Sequence, residues 1–184
     1  MFIQTEQTPN PATLKFLPSQ TVLASGVADF TSADKAAASP LAKGLFAVEG
    51  VAGVFLGSDF ITITKKADKD WSIMKPHVLA AIMDFFLSGL PTMNSDAPPA
   101  AVTPTENDSD VIKQIRELIE TRVRPAVAQD GGDITFNRFE EGIVYLNLQG
   151  SCAGCPSSTA TLKSGIENML KHYIPEVKEV RQVA

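Results

Sequence analysis

Cys152 and Cys155 are separated by two residues, and the chain has no other cysteine. Thiolates are soft ligands that favour zinc, copper(I) and iron–sulfur centres. A two-residue spacer lets both sulfurs face one metal ion or one cluster edge. Gly154 permits backbone angles that a β-carbon resists, Ala153 keeps the loop thin, and Pro156 suits the first turn of a following helix. Cys155 would then stand beside a helix N-terminus, where unpaired amides and the dipole favour a thiolate.

Ligand arithmetic narrows the chemistry. Zinc sites and cubane clusters usually take four protein ligands, whereas one chain supplies two cysteines and neither His77 nor His172 is near them in sequence. A symmetric dimer would present the pair twice and close a four-thiolate site on its two-fold axis. A site shared in that way opens and closes readily, which suits a carrier better than a permanent electron-transfer centre. Three other readings use the same atoms: a thiol–disulfide exchange site, a structural zinc clasp across a dimer, and two thiols of packing value only. Exchange motifs usually follow the first strand of a βαβ unit. Here the motif follows a β-hairpin, and the sequence shows no parallel crossover. Ser151, Gly154, Pro156 and Ser157 read as loop and argue against simple packing. Residue types alone do not separate iron–sulfur from zinc.

The elements that must hold this loop are legible around it. Asp108 or Ser109 caps a helix with an apolar face of Val111, Ile112, Ile115, Leu118, Ile119 and Val123. Pro125 should kink that helix or begin a new turn. Asp130-Gly131-Gly132-Asp133 breaks the chain. Ile134–Phe139 and Ile143–Gln149 form a hairpin around Glu140-Glu141-Gly142, with Val144, Leu146 and Leu148 on one face. After the cysteine loop, Leu162, Ile166, Met169, Leu170 and Tyr173 mark one side of a helix, and Val177–Val183 add a last strand. His172, near the end of that helix, is accounted for by the helix dipole.

The region before this unit reads as a second α+β fold. Phe2–Gln7 and Leu14–Leu17 are strands around Thr-Pro-Asn-Pro. Ser39-Pro40 opens a short helix that ends near Gly44 or Gly50. Val54–Leu56 and Phe60–Thr64 form a hairpin, and Trp71–Leu87 is a helix with a core stripe of Trp71, Met74, Val78, Ala81, Ile82 and Phe85. His77, within that helix, reads as packed or half-exposed rather than as a ligand. From Leu90 to Asn107 prolines and small residues replace bulky apolar ones. Such a stretch reads as a linker, with ends roughly 20–25 Å apart as a flexible coil. The expected architecture is two small α+β domains, residues 1–89 and 108–184, joined by a Pro-rich linker at 90–107. The second has the order α-β-β-α-β.

Composition removes several classes. The net charge of −5 gives no basic footprint for nucleic acid or an anionic membrane surface. Val78–Leu90 is too short to span a bilayer. Clustering of both cysteines in one loop, rather than across long loops, fits a reducing compartment.

The second domain resembles the NifU-like C-terminal domain of Nfu-type iron–sulfur scaffolds. The likeness rests on Arg124–Ile134 (Arg-Pro-Ala-Val-Ala-Gln-Asp-Gly-Gly-Asp-Ile), on Leu146–Ser158 around both cysteines, and on the helix Thr159–Leu170. Met1–Glu6, Asn10–Phe16 and Phe60–Lys65 are similar to the Nfu N-terminal domain. This resemblance implies a non-enzymatic scaffold that holds a [4Fe-4S] cluster between two protomers through Cys152 and Cys155 and passes it on. Its partners would be a second copy in the holo form, apo iron–sulfur recipients and upstream assembly proteins, without nucleic acid or membrane. Gly131, Gly132 and Asp133 lie in a family motif, and a helix-to-strand turn explains them sufficiently. The first domain, lacking cysteine, is expected to contact donors or recipients. The expected location is bacterial cytoplasm, with a matured mitochondrial form left open.

Overall fold

A computed structural model of the chain describes residues 2–94, 109–154 and 156–183, with the backbone alone at 156–158. The chain divides into two compact units, Met1–Ala101 and Val102–Ala184. Both contain helices and sheet, so the α+β expectation holds for each.

The first unit is a five-stranded sheet with one long helix against it. Its strands are β1 (Gln4–Gln7), β2 (Thr13–Leu17), β3 (Ala28–Phe30), β4 (Val51–Leu56) and β5 (Ile61–Lys65). They lie in the order β1-β2-β5-β4-β3, every pair antiparallel. Asn10 closes the first hairpin, its side chain accepting from the Ala12 amide at 3.0 Å and its carbonyl from the Thr13 amide at 2.9 Å. Helix α1 (Pro40–Phe46) starts where Ser39 accepts a hydrogen bond from the Ala42 amide and Pro40 fits the first turn. The helix ends two residues past Gly44, near the first of the two glycines expected there. Gly44 lies inside it, while Gly50, at φ +96°, turns the chain into β4. Helix α2 (Trp71–Ser88), capped by Asp70, buries Met74, Val78 and Ile82 on the sheet. Trp71, Ala81 and Phe85 pack partly buried around them.

The compositional break at Leu90 does not coincide with the edge of this packing. The Asn94 amide donates to the Ala38 carbonyl at 2.9 Å, and the Ser39 hydroxyl donates to the Thr92 carbonyl at 2.6 Å. Met93 also packs against the core. Small and proline residues stay ordered where their backbone groups find partners, which composition cannot report. Residues 95–107 of the expected linker lie outside the described residues.

In the second unit, α3 (Asp110–Leu118) starts at Ser109, whose hydroxyl accepts from the Ile112 amide. A π-helical turn, Ile119–Val123, leads into α4 (Arg124–Gln129), which has Pro125 in its first turn. Pro125 has no N–H to give the carbonyl four residues back, and a wider turn ahead of it accommodates that loss without ending the helical path. Strands β6 (Gly132–Glu140) and β7 (Ile143–Gly150) pair antiparallel through a two-residue turn with Glu141 at φ +52° and Gly142 at φ +85°. Positive φ at both central positions matches the twist of the flanking strands. Helix α5 (Pro156–Tyr173) then returns the chain to β8 (Glu179–Gln182).

Strand β8 lies parallel to β7, with Val144 opposite Val180. The cysteine loop therefore joins the first strand of a β-α-β crossover to its helix, contrary to the expectation of no parallel crossover. The pairing joins segments about a helix apart, so no local pattern announces it. Ile115, Ile119, Val123, Val127, Ile134, Val144, Leu146, Ile166, Leu170 and Val180 form the core of this unit. Leu162 and Met169 pack partly buried against it, whereas Tyr173 is exposed beside the Arg122 guanidinium, 5.3 Å from its ring.

Ser39 links two parts of the first unit. Ser39→Ala removes the α1 cap and the Thr92 bond together. We expect the first unit to lose about 1–2 kcal/mol of stability, with faster hydrogen exchange at Asn94 and no change in the second unit. Unaltered exchange at Asn94 would show that the Thr92 contact does not hold this segment.

Candidate metal centre

The cysteine loop begins where β6 and β7 end together on a pair of glycines, Gly132 opposite Gly150. Gly150 takes φ +63° and Gly154 φ +79°, so the loop turns sharply at both ends. The Ser151 amide donates to the Gly131 carbonyl at 3.2 Å, and its hydroxyl donates to the Asp130 carbonyl at 2.5 Å. The Ala153 amide donates to the Gly150 carbonyl, and the Thr159 hydroxyl reaches the Cys152 carbonyl at 3.3 Å. These bonds fasten the loop to the Asp130–Asp133 turn on one side and to α5 on the other.

Cys152 points inward and is only 6% exposed, packed with the core of the unit. Burial pushes its thiol up to about 12; a hydrogen bond with Ser151 opposes the rise, and the nearby Asp130 and Asp133 carboxylates add to it. Cys155 lies outside the described residues, immediately before α5 in sequence. Among the described residues no three His, Cys, Asp or Glu side chains gather where they could hold a metal ion.

Gly132 has a role beyond turning the chain. A β-carbon there would fall 2.5 Å from the Cys152 sulfur, 2.9 Å from the Gln149 carbonyl oxygen and 3.0 Å from the Cys152 amide nitrogen. Its backbone angles lie outside the left-handed region, so the requirement is for space. Asp133, next in the chain, is 3% exposed and receives both arms of Arg124, Nε to Oδ1 at 2.8 Å and Nη2 to Oδ2 at 3.0 Å. Arg124 also donates to Glu120 at 2.7 Å. The two carboxylates hold the guanidinium well above its ordinary pKa. A bidentate pair on a buried carboxylate fixes one geometry, and removing Arg124 would leave the buried Asp133 charge without its main partner. The sequence predicts a turn at Gly131, Gly132 and Asp133, without the Arg124 partner. The signal for this pairing in the sequence is a glycine pair followed at once by an acidic residue, nine positions after Arg124.

His77 is exposed on α2 in the other unit, with Nδ1 2.9 Å from the Ile73 carbonyl oxygen. His172, at the end of α5, stacks edge-on with Tyr173. Neither belongs to the cysteine loop.

Residues 115–181, which include the turn, both cysteines and α5, match the NifU-like domain family. Residues 3–89 match the scaffold protein Nfu/NifU N-terminal family. The site thus sits in a NifU-like domain that follows an Nfu-type N-terminal one. The chain belongs to the Nfu-type, NifU-like family. It is 55% identical, along its whole length, to the "NFU1 iron-sulfur cluster scaffold homolog, mitochondrial" of Drosophila sechellia, and equally so to that of Drosophila simulans. The chain spans about 65% of the length of each relative. The NifU-like protein of Saccharomyces cerevisiae, solved by NMR, is 26% identical over 52% of this chain and 87% of its own, with a TM-score of 0.47. Both Drosophila relatives are named as mitochondrial. They give no support to the expectation of a bacterial cytoplasmic chain. No described helix is long and apolar enough to cross a membrane.

The burial of Cys152 sets a pH dependence. An unfolded thiol ionises near 9 while the folded one retains its proton to about 12, so the unfolded state binds fewer protons in between. Stability of the metal-free second unit should fall as pH rises through that window, by at most about 1.4 kcal/mol per unit. Alkylation of Cys152 should stay slow in the folded chain below the same window. Gly132→Ala should make it faster by displacing the sulfur. Mass-spectrometric peptide mapping reads both effects, and equal rates in parent and variant would show that Gly132 does not retain the thiol.

Proposed function

We propose that the chain is a non-enzymatic scaffold and carrier for iron–sulfur clusters. It holds a [4Fe-4S] cluster as cargo between two protomers through Cys152 and Cys155, then hands it to apo-proteins. The supporting observation is the donor set. Cys152 stands in a tightly turned loop of a NifU-like domain, and the described residues gather no other set that could complete a metal site in one chain. Two thiols per chain and four ligands per cluster require a second copy.

The chain's own residues account for reversible loading. Gly132 leaves room for the Cys152 sulfur to pack, and its burial keeps the thiol protonated when no cargo is present. Iron binding replaces that proton, so loading releases protons and is favoured at higher pH. The Arg124–Asp133 pair keeps the turn beneath the loop in place while the sulfur changes partners. The first unit, cysteine-free and separately packed, is assigned to recognition of donors and recipients. The proposed domain limits follow the composition, with residues 90–107 as the tether, although Thr92–Asn94 pack on the first unit.

A dithiol redox role is the second reading, favoured by the β7-α5-β8 crossover. Against it stands the Cys152 thiol, raised where an attacking thiol needs a lowered pKa.

Anaerobic reconstitution with iron and sulfide, followed by native mass spectrometry, separates these readings. We expect a dimer that carries four irons and four sulfides, formed from metal-free chains. Cys152→Ala and Cys155→Ala should each abolish stable loading while leaving the circular dichroism of the parent. A monomer that holds a complete cluster without added thiol would overturn the shared site. A chain that takes up no iron yet cycles between dithiol and disulfide would favour the redox reading.

The division of labour has its own test. The chain from Asp108 onward should load a cluster at nearly parental yield but transfer it more slowly to at least some recipients. Equal transfer rates to several recipients would remove the recognition role from the first unit.

A further inference from the structure

In the first unit, α2 is apolar on both its inner and outer faces. The inner face, Met74, Val78 and Ile82, is buried against the sheet. On the outer face Ile73 is 68% exposed and Leu87 74% exposed, with the exposed Ala80 midway between them. These three recur every seven residues, with His77 and Asp84 interleaved. An α-helix drifts only about 20° per heptad, so all five share one stripe. A stripe with alternating steps of three and four is the surface on which a second helix packs at a shallow angle. Beside it, from Ile73 as far as Asp84, lies a groove of about 720 Å³. Met74 and Ala81 belong to its wall, and the turns carrying Ala47–Glu49 and Asp68–Asp70 border it.

The groove's charge specifies its occupant. It has four carboxylates, Glu49, Asp68, Asp70 and Asp84, and one ammonium, Lys69. The formal charge is −3 with His77 neutral. Two copies meeting here would bring like charges together across an apolar seam. A helix with an apolar stripe flanked by lysine or arginine would cover Ile73 and Ala80 and neutralise the rim.

We propose that this groove docks a basic amphipathic helix of a partner protein. The proposal builds on the recognition role assigned above to the first unit, and it concerns binding rather than cluster chemistry.

The test uses the whole 184-residue, metal-free, ¹⁵N-labelled chain. The probe is an 18-residue helical peptide with leucines on one face and lysines elsewhere, paired with a twin that carries glutamate for every lysine. The expected result is saturable shifts of the Ile73, Ala80 and Asp84 amides with the lysine peptide and none with its twin. Ile73→Lys and Asp84→Lys should each weaken binding tenfold or more. Asp59→Lys, on the exposed β4–β5 turn, should leave it unchanged. Ala80→Glu is a further disrupting variant should Ile73→Lys misfold. Four outcomes would overturn the proposal: no saturable binding, shifts centred elsewhere, an equal loss in Asp59→Lys, or concentration-dependent shifts of these amides without peptide, which would mark the groove as a contact between copies. Because no iron is present, each outcome is independent of cluster loading and transfer.

Discussion

Between the Gly132 backbone and the Cys152 sulfur there is room for a hydrogen atom but not for a methyl group, and the second unit is arranged around that approach. The sheet ends on two facing glycines so that the 151–154 loop can fold back over the start of β6. Ser151 binds the Asp130 carbonyl, which fixes the loop to the turn below it. Arg124 grips Asp133 from the helix that precedes the turn, and the π-helical turn before Arg124 keeps the helical path continuous past Pro125. Loosening any of these contacts would let water reach the sulfur, and its proton would then be held less firmly.

Burying a potential ligand has opposing effects. A packed thiol resists oxidation and alkylation, since the thiolate is the reactive form. The same packing makes metal binding compete with the native core. A permanent metal site would gain nothing from that competition. A carrier does, because its empty state must be stable in its own right and its loaded state must not be too stable to give up the cargo.

Much of this was legible in the sequence, for reasons that can be named. The β6–β7 hairpin follows from alternation of Val144, Leu146 and Leu148 and from a glycine-containing turn. The helix starts at Ser39 and Ser109 follow from hydroxyl caps. Cysteine count and spacing marked the candidate ligands without any fold. What escaped has a common origin in non-local structure. The partner of β8 lies across an entire helix, so a terminal strand was foreseen but its parallel pairing was not, and an argument against redox chemistry was lost with it. Strand β3 is only three residues, Ala28–Phe30, too short for alternation to register. The single-turn 3₁₀ helix Lys35–Ala38 carries no periodicity. Gly132 was identified as a turn residue, but only three-dimensional packing shows which atom it makes room for.

The parallel pairing of β7 with β8 also sets an order of events during synthesis. A ribosome delivers the hairpin and the cysteine loop first, then α5, and β8 only afterwards. Until β8 docks beside β7, the loop is anchored on one side of the crossover alone, and Val180 is missing from the core that encloses Cys152. The metal-free nascent chain therefore passes through an interval in which the Cys152 thiol is less enclosed than it is in the folded, metal-free chain. Closing the crossover over so long a separation is slow compared with forming the hairpin. Oxidative damage to this protein should thus concentrate on newly made chains, and a cell short of reducing power would lose the protein through its rate of synthesis before it lost the folded stock.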